Sequence, residues 1–259
     1  MCYHLAVLTF SLQSGSNGNA FYVEADGVRL LFDAGITGAS AQRRMAVHDR
    51  DIHDVDALII SHDHTDHVRY AGVYQRKFGL PVYITRATQE AASSNLGELH
   101  DVRHFLSGDV LRFGSVVVHT IPTPHDAVDG VAFVIEWEGK RLGILSDLGH
   151  PFDGLQRILE SLDAAYLESN YDPRMLDEGA YPTWLKARVR GEGGHLSNNE
   201  AAAMLGACGR RRPAWIAVTH LSRDNNHPDL AIAAHREAVG QSYPVYHASR
   251  YQTSELLTV

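Results

Sequence analysis

Cysteine is nearly absent: the chain has two, Cys2 and Cys208. They provide neither a disulfide framework nor a C-x-x-C motif, so a reducing cytoplasmic compartment is expected. Long apolar runs are missing as well. No stretch approaches the length of a membrane span, and the start, "MCYHLAVLTF", lacks a basic segment followed by an apolar run and a small-residue cleavage site. Neither a membrane partner nor a secretory signal is expected. Positive charge is also short, with 23 Lys and Arg against 31 Asp and Glu and a formal net charge of −8. That balance disfavours recognition through a broad basic face. Basic residues nonetheless cluster at 186–190 and 210–212.

Linkers, low-complexity tracts and repeats are lacking too, so residues 1–259 are expected to form a single domain with no inserted second one. Hydrophobic content of 44% with 21% charged residues is ordinary for a globular chain. The excess lies in histidine, of which there are 16.

Strands are expected at 4–10, 20–26 and 28–35, the last two joined by the hairpin signal Asp26-Gly27. "VYQRKFG" ends a helix before "LPVYIT" returns to strand. Two strand pairs follow, turning at Phe113-Gly114 and at Glu138-Gly139-Lys140. Ser197 and Glu200 form a capping box that opens a helix stopped by Gly209. "PAWIAVTH" is a strand, and Pro228 opens a helix that ends before Gly240. Strand-rich halves, each closed by helices, predict two sheets packed face to face with helices outside.

The chemistry concentrates in "LIISHDHTDHV". An apolar strand, 57–60, runs directly into His62, His64, Asp66 and His67. Imidazole nitrogen and carboxylate oxygen are good ligands for zinc-like divalent ions. His62 and His64, two apart on an extended segment, can reach one ion. Asp66 and His67 turn away and can serve a second. The remaining ligands are expected at other strand ends: His125 after "VVVHTIP", Asp147 after "RLGILS" and His220 after "PAWIAVT". In this reading His62, His64 and His125 hold one ion, Asp66, His67 and His220 the other, and Asp147 bridges them. Only N and O ligands take part, so Zn²⁺ and Mn²⁺ are both admitted. Two such ions would also offset the acidic charge around the site. His119 is the alternative to His125, but it falls inside a strand.

H62-x-H64-x-D66-H67 with His125, Asp147 and His220 resembles the metallo-β-lactamase superfamily, which implies an α/β fold: a four-layer αββα sandwich of two mixed sheets. "SGSNGN" (14–19), "ESNYDPRML" (168–176), "GHLSNNEAA" (195–203) and "THLSRDNNHP" (219–228) are similar to its YycJ-like (WalJ/VicX) branch. That branch is exonuclease-like and related to the tRNA-3′-processing and ribonuclease-J nucleases. Only 73 positions separate Asp147 from His220, too few for the large inserted domain of the ribonuclease-J group.

The resemblance implies a dinuclear phosphodiesterase, a 5′→3′ exonuclease on nucleic acid with DNA favoured over RNA. A hydroxide generated by the ions and positioned by Asp66 would attack phosphorus. His195 lies just before a capped helix N-terminus, and is expected to donate a proton or contact phosphate. Ser16, Asn17 and Ser197 are the further candidate substrate contacts, the first two within a Gly/Ser/Asn stretch able to form an anion nest. Asp33 either orients a ligating imidazole or stabilises its turn. The alternative reading is a small-molecule hydrolase cleaving a thioester, lactone or cyclic phosphodiester with the same ions. A non-catalytic metal-binding module is the third. Oligomeric state is not legible.

Overall fold

The structure, a computed structural model, describes residues 6–259. Six strands come first: β1 (Leu8–Gln13), β2 (Ala20–Ala25), β3 (Val28–Phe32), β4 (Ala57–Ile59), β5 (Val82–Thr85) and β6 (Val102–Phe105). Seven follow: β7 (Val110–Phe113), β8 (Val116–Pro122), β9 (Val131–Trp137), β10 (Lys140–Leu145), β11 (Ala164–Glu168), β12 (Trp215–Thr219) and β13 (Val245–His247). The last, β14 (Leu257–Thr258), returns to pair with β1. Two seven-stranded sheets result, ordered β14-β1-β2-β3-β4-β5-β6 and β13-β12-β11-β10-β9-β8-β7. Each is mixed: β1-β2-β3 and β7-β8-β9-β10 are antiparallel meanders, while β3 to β6 and β10 to β13 run parallel.

Parallel neighbours need crossovers, and helices supply them. The first half holds α1 (Gly38–Ala46), α2 (Thr65–Val68), α3 (Ala71–Phe78), α4 (Arg86–Ala91) and α5 (Ser93–Leu96). The second holds α6 (Leu155–Glu160), α7 (Pro173–Glu178), α8 (Thr183–Arg190), α9 (Asn198–Ala207) and α10 (Pro228–Val239). Among the described residues, no helix is long and apolar enough to cross a membrane.

Alternation along the strands decides the layering. Phe21 and Val23 of β2, Leu30 and Phe32 of β3, and Phe133 and Ile135 of β9 share one buried cluster between the sheets. Their neighbours point the other way: Tyr22 and Leu31 pack under the first set of helices with Met45 and Tyr74. Val134 packs under the second set with Leu145 and Leu205. Both faces of each sheet are therefore covered, giving the αββα sandwich.

Local departures have physical causes. β1 begins at Leu8 and runs to Gln13, later than the expected 4–10, of which residues 4 and 5 lie outside the described part. Polar Thr9 and Ser11 are buried within it; Thr9 Oγ1 donates to Tyr22 O at 2.7 Å and lies 3.2 Å from Tyr166 OH. The satisfied hydroxyl of Thr9 admits it to a strand that hydrophobicity alone does not reveal. β3 stops at Phe32 rather than residue 35, because Asp33 turns left-handed with φ of 64°. Asp26 and Glu138 take φ of 50° and 48° ahead of Gly27 and Gly139, as two-residue hairpin turns require.

Candidate metal centre

Strand direction gathers the candidate residues. β8 is antiparallel to β9 and β9 to β10, so β8, β10, β11 and β12 all end on one edge of their sheet. His125 follows β8, Asp147 follows β10, Glu168 closes β11 and His220 follows β12. The His62–His67 segment leaves β4 of the other sheet and meets them: Val131 N donates to Ser61 O at 3.1 Å, and His220 lies 3.3 Å from Asp66. Ligand sites of open α/β sheets lie beyond such carboxyl ends.

Backbone strain concentrates here. Asp33, Asp147 and His220 take φ of 64°, 54° and 56°, a region that non-glycine residues seldom enter. Each such residue costs of order 1–3 kcal/mol, and such outliers gather where a site over-determines the backbone. Gly35 is obligatory for a different reason: a Cβ there would lie 1.7 Å from Asp66 O.

His64 is extended as the N-cap residue of α2, which begins at Thr65, and the chain bends at Asp63 between it and His62. Asp66 reaches the His220 side, whereas His67 stays against His62 with ring centroids 4.1 Å apart, so the separation expected from the spacing holds only in part. His125 Nε2 lies 3.2 Å from His64 Nδ1. Asp66 Oδ2 lies 3.3 Å from His220 Nε2 and 3.7 Å from His67 Nε2. Asp147 stands between the two groups. Its Oδ1 is 3.6 Å from His125 Nε2 and 3.5 Å from His220 Nδ1, and its Oδ2 is 3.2 Å from His67 Nε2. The sets His62-His64-His125, His62-His67-Asp147 and Asp66-His67-His220 each bring their donor atoms within 4.8 Å of one another. All are imidazole nitrogens and carboxylate oxygens, which suits a zinc-like divalent ion.

A hydrogen-bonded frame fixes which nitrogen faces inward. Asp33 Oδ2 accepts from His67 Nδ1 at 2.7 Å and from Ser61 Oγ at 2.9 Å, while its Oδ1 accepts from Ser61 N at 2.8 Å. With its proton given to Asp33, Ser61 Oγ is left to accept from His62 Nδ1 at 2.8 Å. One carboxylate thus engages Nδ1 of both rings, directly or through Ser61, and leaves Nε2 as the coordinating atom of each. Asp33 does the orienting and also forms the turn. His125 Nδ1 similarly donates to Gly194 O at 2.8 Å. Gly194 itself is packed against the end of α8, where a Cβ would meet Val189 O at 2.2 Å. His62 Nε2 is the decisive atom: it is buried and has no hydrogen-bond partner. Buried polar atoms are rarely left unpaired, so an orphan nitrogen among neighbouring N and O donors fits the role of a ligand to a divalent cation.

Electrostatics agrees with that geometry. Burial holds the His62 imidazole well below the ordinary histidine range, and His67 pushes the same way. Burial likewise lowers His125. Both rings therefore present neutral nitrogen. Burial works against charge on His67 too, yet Asp147, Asp33 and Asp66 hold its pKa well above the ordinary value. Asp147 is pushed up by burial but more strongly down by His220 and His67, and ends well below the usual carboxylate range.

Glu168 is the residue that sequence reasoning missed. Fully buried, it accepts from His195 Nδ1 at 2.6 Å through Oε1 and from Leu148 N at 2.9 Å through Oε2. Its signal was available, because a carboxylate at the end of "AAYLE" obeys the same strand-end rule as Asp147. His195 is 14% exposed, and its ring centroid lies 4.9 Å from that of His125 and 5.1 Å from that of His220. Asn19 was also overlooked: its amide nitrogen lies 3.2 Å from Asp66 Oδ2 and 2.9 Å from His67 Nε2.

The remaining candidates are placed less centrally. Ser197 is buried as the N-cap of α9, donating to Glu200 Oε2 at 2.6 Å and accepting from Glu200 N at 3.2 Å, so its hydroxyl is already engaged. Ser16 and Asn17 are exposed on the rim and share a small depression with Asp66 and Arg69. In the basic cluster, Arg188 grips Asp126 at 2.7 and 3.0 Å, and Asp126 lies 3.6 Å from His125. Arg190 pairs with Asp177, and Lys186 donates to Asp177 O at 2.7 Å. His119 lies within β8, 3.4 Å from Glu136 and apart from the centre.

Comparison with known proteins places this arrangement. The Metallo-beta-lactamase superfamily profile matches residues 14–220. Exodeoxyribonuclease YycJ of Bacillus anthracis is 33% identical over 233 residues, 89% of this chain and 87% of that protein. Exodeoxyribonuclease WalJ of Streptococcus pneumoniae (strain ATCC BAA-255 / R6) is 34% identical over 250 residues, 92% of this chain and 93% of that one. Among solved structures, the metallo-beta-lactamase fold protein YhfI from Bacillus subtilis has a TM-score of 0.76 at 18% identity, covering 98% of this chain and 99% of its own, a likeness of fold. The chain belongs to the metallo-beta-lactamase superfamily, within its YycJ and WalJ branch.

Proposed function

We propose that the chain is a dinuclear metal-dependent phosphodiesterase, an exonuclease acting on DNA. The observation that carries the metal chemistry is the convergence of six donors around Asp147, with His62 Nε2 left without a partner. The substrate class rests on the two relatives named exodeoxyribonuclease. Cleavage from the 5′ end is drawn from the resemblance of the sequence to that branch.

His62, His64 and His125 would hold one divalent ion, Zn²⁺ or Mn²⁺, and Asp66, His67 and His220 the other, with Asp147 shared. When bound, such ions polarise the phosphoryl oxygens and bring the pKa of water to about 7. The chain's own groups supply the rest. Asp66, partly open to solvent and held by Asn19 and His220, orients the attacking water. His195 donates its Nδ1–H to Glu168, which leaves Nε2 as the ring atom that, when protonated, would give its proton to the departing alkoxide or hold its phosphate. Glu168 fixes that ring as a buried carboxylate orients a catalytic histidine elsewhere.

End-labelled DNA, end-labelled RNA and bis(p-nitrophenyl) phosphate, offered side by side to the Mn²⁺- and Zn²⁺-loaded protein, test the reading. Mononucleotide release from DNA, abolished by chelation, is expected. Hydrolysis of lactones or thioesters with no cleavage of any nucleic acid would replace the reading with the small-molecule alternative.

A further inference from the structure

Behind the His220 strand end lies a second concavity, a cavity of about 270 Å³. It adjoins the metal centre through two of its walls. Ser14 Oγ accepts the His220 N–H at 2.9 Å, and Leu221 follows His220 in the chain. The cavity is smaller than the roughly 300–1,000 Å³ typical of a pocket for a whole ligand, so it suits one portion of a longer molecule.

Its lining carries two cations, Arg223 and Arg250, beside the imidazoles of His227 and His247, with Tyr251 at the mouth, 70% exposed. Two carboxylates stand close without lining it: Asp224, 4.0 Å from Arg223 Nε, and Asp229, 3.4 Å from His227 Nδ1. Arg250 is the centre of interest. Its Nη2 donates to Asn17 Oδ1 at 3.3 Å, and its carbonyl accepts from Asn17 Nδ2 at 3.1 Å. Its Nη1 is buried and has no acceptor. A planar guanidinium held by one edge, with a second buried N–H unmet, is suited to an oxyanion such as phosphate. Asn17 and Ser16 face the Asp66 depression on the other side of the same loop, so one loop separates the cavity from the metal centre.

We propose that this cavity receives a phosphate group of the substrate strand other than the one being cleaved, with Arg250 as its main donor and Tyr251 stacking a flanking base. Aromatic stacking beside a cationic groove is how single strands are held without sequence preference. The assignment rests on the nuclease reading and adds to it the residues that recognise the strand beyond the reacting phosphate. It also gives an acidic chain a local cationic contact for nucleic acid.

Steady-state kinetics of the metal-loaded wild type, Arg250→Gln and Arg223→Gln test it. The substrates are a 5′-phosphorylated oligonucleotide, its 5′-hydroxyl counterpart and bis(p-nitrophenyl) phosphate. Arg250→Gln is expected to raise KM for DNA at least about tenfold, as loss of a charged hydrogen bond does, and to leave turnover of the small diester unchanged. Arg223→Gln, which leaves the Asn17 contacts intact, should raise the same KM by a smaller factor. A KM rise confined to the phosphorylated end identifies a terminal phosphate, and an equal rise on both identifies a backbone phosphate; either supports the cavity as the subsite. DNA KM values within twofold of wild type for both folded variants would overturn it. Absence of nucleic-acid cleavage by the wild type would overturn the nuclease reading and this subsite with it, a failure visible before any substitution is made.

Discussion

His195 Nδ1 lies 2.6 Å from Glu168 Oε1, and Glu168 is completely buried. The pair stands beside the histidines and carboxylates grouped around Asp147, with the same Nδ1 3.7 Å from Asp147 Oδ1. His195 and His220 share an H-L-S context. Both lie in one donor group with Asp147 and Glu168, and the proposed function makes His220 a ligand and His195 the group that acts on the substrate.

Substitutions at this pair should slow turnover and spare the metals. His195→Ala is expected to lower kcat by about 10²–10⁴-fold, the usual range for an acid–base group. Glu168→Gln keeps an oxygen for Leu148 N but removes the carboxylate, and should lower kcat by about 10²-fold. Elemental analysis should find both variants metal-replete, and a substrate with a better leaving group should partly rescue His195→Ala. Depletion of metal in His195→Ala would make it a ligand instead, a role its position near Asp147, Glu168 and His220 also allows.

Asp33 sets two rings at once, His67 directly and His62 through Ser61. Asparagine tolerates the left-handed backbone of that position but cannot accept from every donor. Asp33→Asn should therefore fold and bind metal about 10–100-fold more weakly, as removal of an orienting partner does. Chelator competition measures this. An affinity within twofold of wild type would show that the frame does not tune the site.

Much of this was legible because polar residues stood immediately after apolar strands. His62, His64, Asp66, His67, His125, Asp147 and His220 could all be picked on that rule, and the chain brings all seven together. The hairpins at Asp26-Gly27, Phe113-Gly114 and Glu138-Gly139 and the Ser197–Glu200 capping box followed from local chemistry. Glu168 did not, because the small residues of "AAYLE" give no strand periodicity, and without the strand its place at a strand end goes unseen. β6, "VRHF", was hidden by exposed Arg103 and His104. The left-handed turns at Asp33, Asp147 and His220 have no sequence signature, since packing around the site imposes them.

Away from the centre, Glu24 and Arg50 form a half-buried pair, with Arg50 Nε donating to Glu24 Oε2 at 2.7 Å and Tyr22 OH to the same oxygen at 2.6 Å. Burial raises the Glu24 pKa, but the bonds from Arg50 and Tyr22 outweigh it and leave the carboxyl below its ordinary value. A carboxylate depressed in the folded state stabilises fully above its unfolded pKa, and that contribution fades as pH falls through the folded one. Arg50→Met should cost about 1–3 kcal/mol near neutral pH and progressively less in acid. Urea denaturation at several pH values checks this, and a cost that grows on acidification would contradict it.

The central claim is that Asp147 is shared by two divalent ions, and metal content per chain tests it most directly. Wild-type protein is expected to hold close to two ions, His119→Ala the same number, and Asp147→Ala to lose affinity at both positions. A full complement of two ions in folded Asp147→Ala would contradict the account.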